Sequence, residues 1–411
     1  MITVPIPLTL TPLGADDADL LFGRDTEVET IVHNCRSSRL TVITSSAGLG
    51  VSSLIRAGAE PALRHTGEFV TVLFSDWQGP NVAPRLRQAI LTAIHEQADS
   101  GFSVDYKREL LYDILTKAQA KIGRPVAVLI DQFEDYVRCH SGTDLSNQFD
   151  AELANAISSR AGRFVIALQK PCMNAFERLG QYIPNLLGFT IDLPPLTESA
   201  AIELIRAAAK RADLEIEDAA VTQLVTAPTV RVADGAHTGV HPLFVSLGAQ
   251  RLFEAEKVLR SRQARLATLA ENGGADQMIL TSLDGPIRQL GVTHSELFFR
   301  WIPLLISSDR RRLAPTEKAL LEHAGRWNRF GSSLLPLLVR SGLMRTIAVQ
   351  AGDRYELARE SATVVAYDWW QRAEATIIAR RRVRFTVRAI SIVVGAIIVA
   401  YLIYFFSSSQ P

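Results

Sequence analysis

At 411 residues, 47% hydrophobic and 21% charged, the chain is too long for one small core and too apolar to stay disordered. A net charge of +1 at pH 7 supplies no global field that would draw it to nucleic acid or to an acidic surface. Three cysteines (Cys35, Cys139 and Cys172), odd in number and far apart, argue against a disulfide framework or a thiolate metal site and read as idle thiols in a reducing compartment.

The amino terminus, MITVPIPLTLTPLG, lacks a basic region and is broken by prolines, so it does not read as a signal peptide. Residues 1–38 form a lead-in. From 39 to 195, short apolar runs alternate with helical patterns, which predicts an α/β layered domain around a mostly parallel sheet. Strands are predicted at Leu40–Thr44, Phe69–Phe74, Val126–Ile130, Phe164–Leu168 and Phe189–Leu193, with helices near 53–64, 84–98, 106–121 and 147–160. Residues 196–275 read as helical, interrupted by a loop at 229–241, and a linker is expected around 272–290. Helices near 291–306, 314–326 and 332–341 then lead into two short strands, which predicts a winged-helix domain over 285–360.

Two segments carry chemistry. Residues 44–54, TSSAGLGVSSL, follow an apolar strand and open a helix, the setting of a phosphate loop written G-x-x-x-x-G-K-[ST]. Backbone N–H groups of Gly48, Leu49, Gly50 and Val51 would face an anion there, and Ser52 stands where the metal-binding hydroxyl belongs. The second segment is VAVLIDQFED: an apolar strand ending in Asp131, the carboxylate expected in the Mg²⁺ shell, with Glu134 placed as a water-activating base. No histidine pair has ligand spacing and no Gly-x-Ser-x-Gly turn occurs.

These segments, with DADLLFGRDTEVETIV before them and FVIALQKPCMNAFERL, DLPPLTES, HPLFVSLGAQRL and YELARES after, resemble the bacterial STAND-type P-loop NTPases over about residues 10–370. The resemblance implies a P-loop domain, a helical lid and a winged helix closing around ATP or GTP as a switch, and the cofactor expected here is ATP or ADP with Mg²⁺. It places Gly23 and Arg24 of the Phe-Gly-Arg motif, Gly48, Gly50, Ser52 and Ser53 at the nucleotide, and Ser52 and Asp131 at the metal. Departures from the pattern cluster at the terminal phosphate. Val51 replaces the lysine and Ser45 the first glycine; Gln169 replaces a sensor arginine, with Lys170-Pro171-Cys172 after it, and Val240-His241-Pro242 stands for Gly-x-Pro. Losing two cations lowers phosphoryl-transfer rates by orders of magnitude, because that chemistry rests on positioning and charge stabilisation.

At the other end, 389–406 (AISIVVGAIIVAYLIYFF) is free of charge. Extended back past Arg388 to 385, it predicts a transmembrane helix over 385–406, preceded by a basic helix over 361–384; Arg380, Arg381, Arg382, Arg384 and Arg388 lie on the cytoplasmic side. The expectation is a tail-anchored protein of the bacterial inner membrane with a cytoplasmic body. It is read as a pseudo-ATPase acting as a regulatory or scaffold protein in signalling or defence, at most an ATPase of very low rate, through protein partners or a second copy of itself. A slow ATP-binding switch that oligomerises is the alternative. A DNA-binding role is remote: the helix at 332–342 is apolar apart from Arg340, and Arg310–Arg312 read as solvated surface.

Overall fold

The computed structural model describes residues 11–371, apart from 78–80, 99–100, 141–143, 236, 281–291, 309–311, 326–327, 341–343, 350–351, 358–362, 364–365 and 368–369. All five predicted strands form, as β1 (Leu40–Ser45), β2 (Val70–Phe74), β3 (Val126–Ile130), β4 (Arg163–Gln169) and β5 (Thr190–Asp192). They make one sheet in the order β2-β3-β4-β1-β5, and every neighbouring pair is parallel. Parallel pairs need crossovers, and the intervening segments supply them as helices.

Side-chain alternation along each strand divides two cores. Val126, Val128 and Ile130 join the cluster under the helices Val82–Gln97, Leu111–Ile122 and Asp144–Ser158, while Ala127 and Leu129 join the cluster under Asp25–Ser37 and the helix after β1. Burial on both faces explains why β1 to β4 read as nearly continuous apolar runs, whereas β5 at the sheet edge is exposed at Thr190 and Asp192. The strand order reverses at β1, whose neighbours are β4 and β5, so a crevice opens at its carboxyl end.

Beyond the sheet, Thr197 caps the helix Glu198–Arg211 by accepting from the Ala200 N–H at 3.2 Å. Helices Asp218–Thr226, Pro242–Val258 and Gly274–Leu280 follow, then Val292–Leu305, Glu317–Ala324 and Asn328–Arg340, and the antiparallel strands Met344–Val349 and Gly352–Leu357. The buried apolar residues of 196–280 and 292–357 form one continuous cluster, running from Leu204 and Phe253 to Trp301 and Leu335.

Four expectations are corrected. Residues 229–241 are not a loop: Arg231–Asp234 pairs antiparallel with His237–Val240, and Val240 bridges to Leu196. The linker expected at 272–290 contains the helix Gly274–Leu280. The helix expected from 106 begins at Leu111, because the Asp105 carboxylate accepts from the Lys107 N–H and holds a turn there. Arg312 is buried rather than solvated, while Arg310 and Arg311 lie outside the described residues. The expected span at 385–406 also lies outside them, as does most of 361–384. Among the described residues no helix is long and apolar enough to cross a membrane.

Candidate functional site

The loop at the end of β1 turns through two left-handed residues, Gly48 (φ +80°) and Gly50 (φ +95°), before the helix opens at Val51. Such backbone costs an L-residue energy, so glycine at both positions is required by geometry. Three outside side chains hold the loop. Ser46 donates to Asp234 Oδ1 at 2.9 Å, His241 Nε2 lies 3.3 Å from the Ala47 carbonyl oxygen, and Arg24 Nη2 donates to the Leu49 carbonyl at 3.1 Å. A β-carbon on Gly48 would sit 2.7 Å from His241 Cε1, so the ring is seated directly on the loop.

Around the loop lies a cavity of about 430 Å³. Leu21 and Phe22 of the amino-terminal arm, the loop itself, Pro242 and Leu243 of the helical region, and Arg345 of the carboxyl-terminal hairpin all line it. Its size and mixed lining suit a small polar ligand with an apolar end.

Asp131 directly follows β3 at the floor. Its N–H donates to the Phe74 carbonyl at 2.9 Å, and the Asp131 carbonyl accepts from Trp77 Nε1 at 2.8 Å. Trp77 is fixed by edge contacts with Phe74 and Phe133, whose ring centroids lie 4.9 and 5.5 Å away. The carboxylate is 1% exposed and both its oxygens are engaged. Ser52 Oγ donates to Oδ1 at 3.0 Å, and Arg56 Nε and Nη2 reach Oδ2 at 3.3 Å. Burial pushes the Asp131 carboxyl upward, and Arg56 and Ser52 oppose that shift.

The other acid, Glu134, accepts from Gln169 Nε2 at 3.3 Å, so the residue in the sensor position braces it. Lys170 is not held toward the cavity. Its ammonium pairs with Asp192 at 2.8 Å and Asp234 at 2.9 Å, and it cannot stand in for the missing loop lysine.

Mg²⁺ does not fit this arrangement. Its two expected ligands, Ser52 and Asp131, are hydrogen-bonded to each other, and a guanidinium occupies the remaining carboxylate oxygen. Among the described residues no group of three or more His, Cys, Asp or Glu is placed to hold a metal ion.

A second ionic cluster lies one turn further along. Asp135 accepts from Arg312 Nη2 at 2.6 Å and Arg345 Nη2 at 2.5 Å, and Glu356 accepts from Arg345 Nε at 2.6 Å. Burial lowers the Arg345 guanidinium, but Asp135 and Glu356 outweigh that effect and raise it.

The family model for novel STAND NTPase 1 matches residues 8–344. The chain belongs to this family. No curated protein matches the sequence of this STAND NTPase. Solved structures similar to it include the Walker-type ATPase paby2304 of Pyrococcus abyssi (14% identity, 88% of this chain and 99% of that one, TM-score 0.48). The Aeropyrum pernix ORC1 protein in complex with DNA is another (14%, 88% and 95%, 0.44), as is the Thermotoga maritima RuvB Holliday junction branch migration motor (15%, 84% and 95%, 0.37). The family match and the parallel sheet give this STAND NTPase its α/β P-loop fold.

Of the residues expected at the site, Arg24, Gly48, Gly50, Ser52, Ser53, Asp131 and Glu134 line the one cavity. Ser53 is also tied to the amino-terminal arm, accepting from the Leu13 N–H at 3.1 Å. Gly23 stands outside the lining. A β-carbon there would meet Ala200 Cβ at 2.6 Å, so it serves close packing of the arm on the helix Glu198–Arg211. Sequence reasoning missed Arg56, Asp234 and Arg345. Only Arg56 had a local signal, being four residues after Ser52 and so on the same helix face.

Proposed function

We propose that this STAND NTPase family member is a regulatory protein that holds a nucleoside phosphate between its α/β body and the helical regions that follow, and hydrolyses it slowly if at all. The observation that carries this reading is the cavity's lining. Four separate parts of the chain contribute: the arm at Leu21–Arg24, the phosphate loop, Pro242–Leu243 and Arg345. A ligand that touches all four biases their relative arrangement, which is what a switch requires. ATP or ADP is the class the family implies.

Slow turnover follows from the cations. Val51 offers no charge, Gln169 is neutral, and Lys170 is consumed by Asp192 and Asp234. The loop N–H groups, with that of Ser52 among them, would hold phosphate, Arg24 would keep the loop in shape, and Glu134 would remain oriented by Gln169 without a cation opposite it.

In this reading residues 196–275 act as a lid and 285–360 as a winged helix that packs rather than reads DNA. Leu334, Leu335 and Leu338 of the helix Asn328–Arg340 are buried, which leaves that helix poor in base-reading groups. The apolar stretch 385–406 anchors the body to the cytoplasmic face of the inner membrane, where another protein or a second copy reads its state.

The test uses the full chain in mild detergent. ADP or ATP raises the thermal midpoint, by the equivalent of about 2.7 kcal/mol at a hundredfold excess over Kd. Gly50→Val, which forces a β-branched residue into left-handed backbone, removes the shift. No shift with either nucleotide returns the protein to a pure scaffold. Phosphate release well above that of Asp131→Ala overturns slow turnover. Resistance of the protein to alkaline extraction from membranes, lost on deleting 385–411, checks the anchor.

A further inference from the structure

We propose that Arg56 takes the place of a divalent cation, so that the site accepts its nucleoside phosphate free of metal. The inference rests on the nucleotide-holding reading above and specifies the form of the ligand. In a phosphate loop the hydroxyl at the position of Ser52 and a strand-end carboxylate like Asp131 serve a metal shell. Here the positive charge facing Asp131 belongs to the protein. Arg56 Nε and Nη2 lie 3.3 Å from Asp131 Oδ2, and Nη2 donates to Ser75 Oγ at 3.0 Å.

Spacing and geometry put it there. Arg56 follows Ser52 by four residues, and the helix passes from α to π geometry over Leu54–Ala59, so Ser52 and Arg56 reach the same carboxylate from one side. The anchor is held on all sides. Asp131 is fully enclosed, and its backbone is fixed from both directions by Phe74 and Trp77.

Three charge arguments then converge. A dication arriving between Ser52 and Asp131 would face a guanidinium at contact distance, a like-charge juxtaposition. It would also have to displace hydrogen bonds that satisfy a buried carboxylate. The guanidinium retains capacity for the ligand: Arg56 lines the cavity, its side chain is 31% exposed, and its Nη1 amino group takes part in none of the bonds to Asp131 and Ser75. A planar fork with free N–H donors is a phosphate-binding group in its own right.

The deciding experiment titrates ADP into the full chain in EDTA and in millimolar Mg²⁺. Wild type is expected to bind within about threefold of the same Kd in both buffers, or more tightly in EDTA. Arg56→Ala is expected to lose about tenfold or more in EDTA, the scale of one charge-assisted hydrogen bond, and to regain part of it with Mg²⁺. Arg56→Lys falls between them. Binding of Mn²⁺, followed by its paramagnetic signal, is absent in wild type with ADP and appears in Arg56→Ala with ADP.

Wild-type binding that needs Mg²⁺ overturns the inference and leaves the nucleotide reading standing. Equal affinity of wild type and Arg56→Ala in EDTA also overturns it. No ADP binding in either buffer takes down both. If Arg56→Ala fails to fold, the wild-type pair of titrations and the wild-type Mn²⁺ signal still decide.

Discussion

Single residues at this site divide by how far their partners lie along the chain. Val51, Ser45 and Gln169 were legible because a phosphate loop fixes what each position must do from local spacing alone. Val51 lines the cavity while packing on the core beneath β1, so the missing charge is a property of the site and not of a misaligned motif. Replacing Val51 with Lys should tighten nucleotide binding about tenfold or more, since a hydrogen bond to a charged group contributes about 1.5–3 kcal/mol. Turnover should stay flat, because Gln169 and the committed Lys170 are unchanged. Equilibrium titration and a phosphate-release assay on one preparation read both halves. An unchanged affinity would mean that the backbone at 48–51 does not face phosphate. Cys35 illustrates the opposite outcome: burial pushes its thiol up to about 12, and it is as idle as its isolation in the sequence implied.

At the scale of elements, the hairpin Arg231–Asp234 with His237–Val240 matters most and was least visible. It is short, and its burial alternates weakly, so no period-2 signal exists to detect. Yet Asp234 receives Ser46 from the phosphate loop and Lys170 from the end of β4, which ties the helical region to the carboxyl ends of two neighbouring strands. Burial alone would raise the Asp234 carboxyl; the bonds from Lys170 and Ser46 outweigh it and hold the group below its ordinary value.

A carboxyl depressed in the folded state contributes stability above its unfolded pKa, and that contribution disappears as pH falls through the folded value. Asp234→Asn should therefore lower stability by about 1 kcal/mol near neutral pH, discounted for the partly exposed Lys170. The gap to wild type should close below the ordinary carboxylate range. Denaturant midpoints at pH 7 and pH 3 check the sign; a gap that widens in acid would show that the pair contributes nothing.

Across the whole molecule, Asp131 and Asp135 are separated by four residues and face different tasks. One closes the floor of the cavity, and the other enters a cluster with Arg312, Arg345 and Glu356. Arg312, Asp135 and Glu356 are at most 3% exposed at the side chain, and the two arginines balance the two acids. Deleting one partner of a buried pair strands the remaining charge, so Arg312→Ala should destabilise the protein by about 3–5 kcal/mol. Because Arg345 belongs both to this cluster and to the cavity lining, the loss should weaken nucleotide-induced stabilisation too. Thermal unfolding with and without ADP measures both effects. A midpoint indistinguishable from wild type would show the cluster to be hydrated and energetically idle.

The sequence by itself determined the parallel α/β sheet, because strands buried on both faces must be continuous apolar runs and parallel strands must be spaced by helices. It also determined the loop, the strand-end acid and the loss of lysine and sensor arginine, each of which is a statement about residues within one segment. Only the tertiary structure decided which cations remain and where they point. Arg312 read as surface and is buried; Lys170 is consumed by Asp192 and Asp234; Arg56 went unread and sits on Asp131. The physical reason is that a charged side chain takes its role from the nearest opposite charge in space, and for these three residues that charge lies between 22 and 177 residues away along the chain.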